Sequence, residues 1–216
     1  MKIFLDTCDI DTIKRYHEIG FVDGITTNPS IIAYSGLSIF QAVRTICEII
    51  KTSISVEVIS AGIEEMIEEA IEYRKLGEQV TIKLPLTTEG LIVCKKLSSK
   101  GISVNMTLCF SPSQAILAAR MGADYVSPFI GRLDDIGQSG LKLIADICEI
   151  YSNYPSIKTQ IIAASVRNNE HFIESAKLGV DIATISPNLL NNLINHDLTK
   201  KGLEIFMNDW KNSRQN

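Results

Sequence analysis

The chain is 216 residues long, enough for one domain or two small ones. Hydrophobic residues make up 45 %, which supplies a sizeable core. Charged residues are 21 % and the formal net charge is -4, which argues against a nucleic-acid surface or a polybasic membrane-binding face.

Taken in order, Lys2–Asp6 is a short apolar strand ending in an acid, and Asp9–Ile19 a helix stopped by Gly20. Val22–Thr27 is a second strand that runs into Asn28-Pro29-Ser30, where the proline can open a helix. A helix follows over Ile39–Lys51. Ile54–Val58 is a third strand with strict alternation. Gly62–Leu76 is the clearest helix. Ile63, Met66, Ile67, Ala70 and Ile71 form its apolar face, and Glu64, Glu65, Glu68, Glu69 and Glu72 a solvated one. The pattern then gives strand Val80–Leu84, helix Glu89–Lys100, strand Ile102–Leu108, helix Ser111–Met121, strand Ala123–Pro128 and helix Gly140–Tyr151. It ends with strand Gln160–Ser165, helix Asn169–Leu178, strand Asp181–Ser186, helix Pro187–Leu193 and one further helix over Leu198–Asn212.

Eight strand–helix units in strict alternation predict parallel strands joined by helical crossovers. Eight units of about 27 residues close into a compact (β/α)8 barrel with an additional C-terminal helix. An open doubly wound sheet is the competing α/β architecture, and no Gly-x-Gly-x-x-Gly turn after the first strand supports it. With no linker or composition break, residues 1–216 read as one domain. Five cysteines (Cys8, Cys47, Cys94, Cys109 and Cys148) stand singly and read as reduced thiols; with three isolated histidines, no structural metal site is expected. Asp6 comes too early for a signal peptide, and no apolar run is long enough to span a bilayer, so a cytoplasmic protein is expected.

The organising stretch is Val80–Thr87. Val80, Ile82, Leu84 and Leu86 share one face, which leaves Thr81 and Lys83 on the other. A lysine in an apolar interior needs a partner or loses its proton, and a neutral lysine is a nucleophile for carbonyls. In a (β/α)8 barrel the active site lies at the C-terminal strand ends. Those ends carry Asp6, Asn28, Glu57, Lys83, Asn105, Thr107, Ser127 and Ser165, with Arg167 just beyond. In the third strand Ile54, Val56 and Val58 point out, which turns Glu57 inward. In the fifth, Ile102, Val104, Met106 and Leu108 point out, which turns Ser103, Asn105 and Thr107 inward. Each residue alone has an ordinary explanation: Asn28 as a helix cap, Ser127 and Ser165 as strand-end hydroxyls, Glu57 as an ion-pair partner of Lys83. Two acids and a lysine in one barrel mouth are costly unless used. The chemistry that fits is a Schiff base on Lys83, whose iminium lets an adjacent carbon–carbon bond break or form. Arg132 and Arg167, after strands six and seven, suit a phosphate, which points to sugar-phosphate substrates; the ordinary explanation of a lone loop arginine is a surface ion pair.

Leu5-Asp6-Thr7, Thr26-Thr27-Asn28-Pro29-Ser30, Ile82-Lys83-Leu84-Pro85, Asn105-Met106-Thr107-Leu108, Ser127-Pro128-Phe129-Ile130-Gly131-Arg132 and Ala164-Ser165-Val166-Arg167 resemble the transaldolase family. They are most similar to its small, short-chain branch, which includes the fructose-6-phosphate aldolases. The resemblance implies a (β/α)8 barrel with no metal or organic cofactor. It implies Lys83 as the Schiff-base residue, Asp6 as the acid–base group on the substrate hydroxyl, and Glu57 with Thr107 as the pair that positions the catalytic water. Asn28, Asn105 and Ser127 match groups that bind a dihydroxyacetone unit, and Arg132, Ser165 and Arg167 match the phosphate end. Val166 stands where relatives often carry phenylalanine.

The implied reaction, a step of the pentose phosphate pathway, moves a dihydroxyacetone unit from sedoheptulose 7-phosphate to glyceraldehyde 3-phosphate, giving erythrose 4-phosphate and fructose 6-phosphate. Fructose-6-phosphate aldolase is the nearest alternative. The aldolases of the branch resemble each other in having glutamine and tyrosine where this chain has Glu57 and Phe129. A pyridoxal phosphate enzyme and a non-catalytic sugar-phosphate binding protein are the remaining alternatives. The last helix puts Leu203, Phe206, Met207 and Trp210 on one face, and small transaldolases use such a helix between subunits. A homo-oligomer, a pentameric ring or a decamer, is therefore expected.

Overall fold

The computed structural model describes residues 1–213. Eight parallel strands close into a barrel in chain order, and the last pairs back onto the first. They are β1 Lys2–Asp6, β2 Gly24–Thr26, β3 Ile54–Glu57, β4 Val80–Pro85, β5 Val104–Cys109, β6 Tyr125–Pro128, β7 Gln160–Val166 and β8 Ile182–Ile185. The helices are α1 Ile10–Ile19, α2 Pro29–Ser35, α3 Ile39–Ile49, α4 Ile63–Arg74, α5 Thr88–Ser98, α6 Pro112–Arg120, α7 Ile130–Asp134, α8 Gly140–Ser152, α9 Asn169–Lys177, α10 Pro187–Ile194 and α11 Asp197–Ser213. The expected barrel with an added C-terminal helix is what forms. No single helix among the described residues is long and apolar enough to cross a membrane. The five cysteines are free thiols.

Strand parity builds the main core. Ile25, Ile54, Val56, Val80, Ile82, Leu84, Val104 and Met106 face outward and are buried against the helices. Inside the barrel a smaller apolar cluster joins Phe4, Ile162, Ile182 and Tyr125. Gly24 makes room for it: a Cβ there would lie 2.5 Å from the Phe4 ring. The rest of the lumen is hydroxyl-rich. Ser53 Oγ and Thr81 Oγ1 are 2.9 Å apart, and Thr81 donates to Ser103 Oγ at 3.3 Å, so the buried Thr81 hydroxyl is satisfied by its half-buried neighbours.

Three strands start later than their apolar pattern does, for a shared reason. Asp23, Asp124 and Asp181 each precede a strand and turn a carboxylate onto a backbone N–H of the strand before it. The acceptor oxygens lie 2.8 Å from Ile3 N, 2.9 Å from Val104 N and 2.8 Å from Ile161 N. That contact is an elbow rather than a ladder rung, so β2, β6 and β8 begin beyond it.

Pro29 opens a helix of its own, as its position allows: Asn28 accepts from Ile31 N at 3.0 Å and caps α2 ahead of α3. One helix is not announced by the sequence pattern. The short α7 follows Phe129 directly. The glutamates of α4 also need a correction. Glu64, Glu65, Glu68 and Glu72 are exposed as expected, but Glu69 is not part of a solvated face. It accepts from Ile59 N, Ser60 N and the Tyr73 hydroxyl, the last at 2.5 Å. Burial alone would raise its carboxyl, yet the hydrogen bonds from Ser60, Tyr73 and Ile59 hold it below the usual range. Glu69 thus ties down the loop that follows Glu57. Ile71, read as core, is 37 % exposed, and Tyr73 is buried in its stead.

Candidate active site

Parallel register places the charged residues side by side. Glu57 pairs with Lys83 across β3 and β4, and Lys83 with Asn105 across β4 and β5. Residues in register share a face, so all three turn into the lumen at the C-terminal end of the barrel. Lys83 is 5 % exposed. Its ammonium lies 2.9 Å from Glu57 Oε2 and donates to Thr27 O at 3.1 Å. The buried lysine therefore has a charged partner, one of the two outcomes its apolar strand allowed.

Asp6 enters the same space from β1. Its Oδ1 accepts from Thr26 Oγ1 at 2.8 Å, and Thr26 Oγ1 is 2.6 Å from Thr184 Oγ1. A hydroxyl has one proton, so with Thr26 donating to Asp6, Thr184 donates to Thr26. Burial raises the Asp6 carboxyl above its ordinary value. The Thr26 hydrogen bond and the Lys83 charge work against that rise, and the Glu57 charge adds to it. A carboxyl so poised is suited to taking and returning a proton.

On the adjoining strands Ser127 donates to Asn105 Oδ1 at 2.7 Å, and Asn105 donates through Nδ2 to Ser55 Oγ at 3.1 Å. Asn28 spends its carbonyl oxygen on the α2 cap, which leaves its amide nitrogen as a donor. Thr107 is fully buried on β5, and its hydroxyl has no hydrogen-bond partner in the protein. A buried orphan hydroxyl beside a polar site is a place for a water or a ligand group.

Two backbone irregularities shape the rim. The register shifts between Met106 and Cys109 on β5, and again between Ala163 and Val166 on β7. The only non-glycine residues with positive φ among the described residues lie in these steps, Leu108 at 57° and Ser165 at 54°. Such conformations cost roughly 1–3 kcal/mol each and recur beside active sites. The expected outward position of Leu108 is replaced by a bulge, after which Cys109 is the buried residue. On β7 the bulge lets Ala164 and Ser165, neighbours in sequence, both line the cavity.

That cavity, about 150 Å³, is lined by Asp6, Asn28, Lys83, Ser127, Phe129 and Arg132, with Ser165 and Thr184 completing its polar wall. Arg132 sits over the Phe129 ring at 4.9 Å, and Phe110 meets that ring edge-on at 5.7 Å. A wider groove of about 620 Å³, lined among others by Arg120, Asp124 and Lys158, holds none of the sequence-predicted site residues.

The family model described as Transaldolase/Fructose-6-phosphate aldolase matches residues 3–216. The chain belongs to this family. It is 51 % identical over 211 residues to a probable transaldolase of Nitrosopumilus maritimus, covering 98 % of this chain and 95 % of that protein. It is 52 % identical over 211 residues to one of Caldicellulosiruptor saccharolyticus, covering 98 % and 97 %. To one of Methanococcus vannielii it is 51 % identical over 210 residues, covering 97 % of each chain. The family and these relatives support an enzyme of the aldolase/transaldolase type.

Seven of the eleven sequence-selected residues, namely Asp6, Asn28, Lys83, Ser127, Phe129, Arg132 and Ser165, line the cavity of this family member. Glu57 and Asn105 join it through Lys83 and Ser127. Thr107 lies on the strand that carries Asn105. Arg167 stands apart, about half exposed and paired with Asp135. The sequence reading missed Thr26 and Thr184, which hold Asp6. The parity of β2 and β8 carries that signal: Gly24 and Thr26 point inward with Phe4 and Asp6, as do Ile182 and Thr184.

Proposed function

We propose that this protein is a transaldolase that moves a dihydroxyacetone unit between sugar phosphates through a Schiff base on Lys83. The observation that carries this reading is the convergence of Lys83, its ion-pair partner Glu57 and the half-buried Asp6 on one cavity whose rim holds Arg132. With Glu57 as proton acceptor, Lys83 Nζ attacks the ketose C2. Loss of the carbinolamine oxygen as water gives the iminium, assisted by Glu57 through a water that Thr107 helps to hold. Asp6 takes the proton from the C4 hydroxyl, the C3–C4 bond breaks, and its electron pair flows to the iminium nitrogen. The aldehyde leaves and an enamine remains on Lys83. An acceptor aldehyde then takes the enamine carbon, Asp6 returns its proton, and water releases the new ketose.

Asn28, Asn105 and Ser127 supply hydrogen bonds to the dihydroxyacetone hydroxyls in this reading, and Arg132, Ser165 and Arg167 take the phosphate. Donor and acceptor are sedoheptulose 7-phosphate and glyceraldehyde 3-phosphate. Transaldolase is favoured over aldolase by Phe129, which lines the cavity and carries no hydroxyl to deliver a proton to the enamine. The test mixes enzyme and fructose 6-phosphate, with and without erythrose 4-phosphate, and follows glyceraldehyde 3-phosphate. Sustained release only with acceptor is expected. Equal sustained rates in both tubes would identify an aldolase.

The same reading includes a homo-oligomer built with α11. None of its residues is buried in the monomer, and Leu198, Leu203, Phe206 and Met207 are more than half exposed. A helix with that much exposed apolar surface is suited to a second copy of the chain.

A further inference from the structure

Arg167 is the one proposed phosphate residue that does not line the cavity, and its surroundings explain why. Its guanidinium grips Asp135 with both terminal nitrogens: Nη1 meets Oδ1, and Nη2 donates to Oδ2 at 2.6 Å. This two-bond fork is the geometry with which arginine takes any oxyanion, a phosphoryl group included. The stem lies across Gly131, where a Cβ would come within 2.7 Å of Arg167 Cδ and 2.8 Å of Ser165 O. The Arg167 backbone N–H faces His171 Nδ1 at 3.4 Å, and His171 Nε2 meets Asp134 Oδ2 at 3.1 Å. Backbone and stem are therefore seated beside Ser165, while the fork is occupied by a carboxylate from the end of α7. Arg167's hydrogen bonds, then the charges of Arg167 and Arg132, hold the Asp135 carboxyl below its usual range, so Asp135 stays anionic.

We propose that Asp135 is an internal competitor for the phosphate end of the substrate, occupying the Arg167 fork in the empty site and releasing it when a phosphoryl group arrives. This rests on the reading of Arg132 and Arg167 as phosphate residues. The step is an exchange of anions, with no covalent bond made or broken. A carboxylate brings one negative charge and a phosphate monoester nearly two, so a phosphorylated sugar displaces Asp135. An unphosphorylated one leaves the pair closed. The pair is half exposed on both sides, so it is a weak competitor rather than a permanent block. Asp135 thereby lowers the affinity for every phosphate-bearing ligand, free phosphate included, and sets the sugar-phosphate concentration at which the site fills.

The test is Asp135→Asn, alone and with Arg167→Ala. It reads the KM for fructose 6-phosphate, the inhibition constant of inorganic phosphate, and the KM for unphosphorylated dihydroxyacetone as the reference. Freeing a fork held by an exposed ion pair should lower the first two by roughly two- to sixfold relative to the reference. On an Arg167→Ala background the same substitution should have no effect. Unchanged or raised constants in Asp135→Asn, or an equal change for both substrates, would overturn the proposal while leaving the phosphate reading intact. If Arg167→Ala itself leaves fructose 6-phosphate and phosphate unaffected, the phosphate reading of Arg167 falls, and this proposal with it. Asp135→Ser should move the constants in the same direction as Asp135→Asn, and the opposite direction would count against competition.

Discussion

Glu57 and Lys83 are register partners on adjacent strands, and their side chains meet at 2.9 Å inside the barrel mouth. Neither charge is well solvated, so each depends on the other. Removing one partner of a buried pair leaves the survivor uncompensated, which costs about 3–5 kcal/mol when burial is complete. Glu57→Ala should therefore lower the denaturant midpoint markedly, and adding Lys83→Ala should restore part of the loss. Additive losses in the double variant would show that the pair is not coupled.

Asp6 sets a pH dependence of stability. Its folded carboxyl is raised above the ordinary 3.8, chiefly by burial, so the folded state binds more protons than the unfolded one. The contribution of Asp6 to stability thus falls as pH climbs from about that value through the folded one. Asp6→Asn cannot ionise, so it should gain on the parent protein across that window and be the more stable at neutral pH, while losing turnover. Urea unfolding at a series of pH values measures this. A constant gap between the two proteins would contradict the assigned shift.

Phe129 separates transfer from cleavage. It lies on the cavity wall between Phe110 and Arg132, and a hydroxyl on its ring would add a proton donor beside the enamine. Phe129→Tyr should raise the rate of fructose 6-phosphate cleavage in the absence of acceptor. An unchanged rate would mean that the phenol is not the discriminating group.

Assembly is tested on α11. Sedimentation of the full chain at micromolar concentration should show an oligomer, and deletion from Leu198 onward should reduce it. A monomeric full chain would refute the proposed role of the helix.

Where the sequence was legible, it was because one physical rule acted alone. Alternation put Val80, Ile82 and Leu84 outward and Lys83 inward, and eight such strands had to close. The same rule read Glu57 and Asn105 correctly. It failed at Leu108, where a bulge inserts a residue and parity no longer predicts direction; Ser165, selected only as a strand-end hydroxyl, lines the cavity at a second such step. It also failed at Glu69, whose helical spacing matches its exposed neighbours. Only the loop N–H groups of Ile59 and Ser60, distant in sequence pattern, turn it into an anchor. Arg167 was visible as a candidate, but its capture by Asp135 depends on the short α7, which no apolar period announces.

The most direct test of the account is borohydride reduction in the presence of fructose 6-phosphate, followed by peptide mapping by mass spectrometry. A reduced sugar adduct is expected on the peptide that contains Lys83, and none in Lys83→Ala. An adduct on Lys95 or Lys96, or no adduct from an active enzyme, would contradict it.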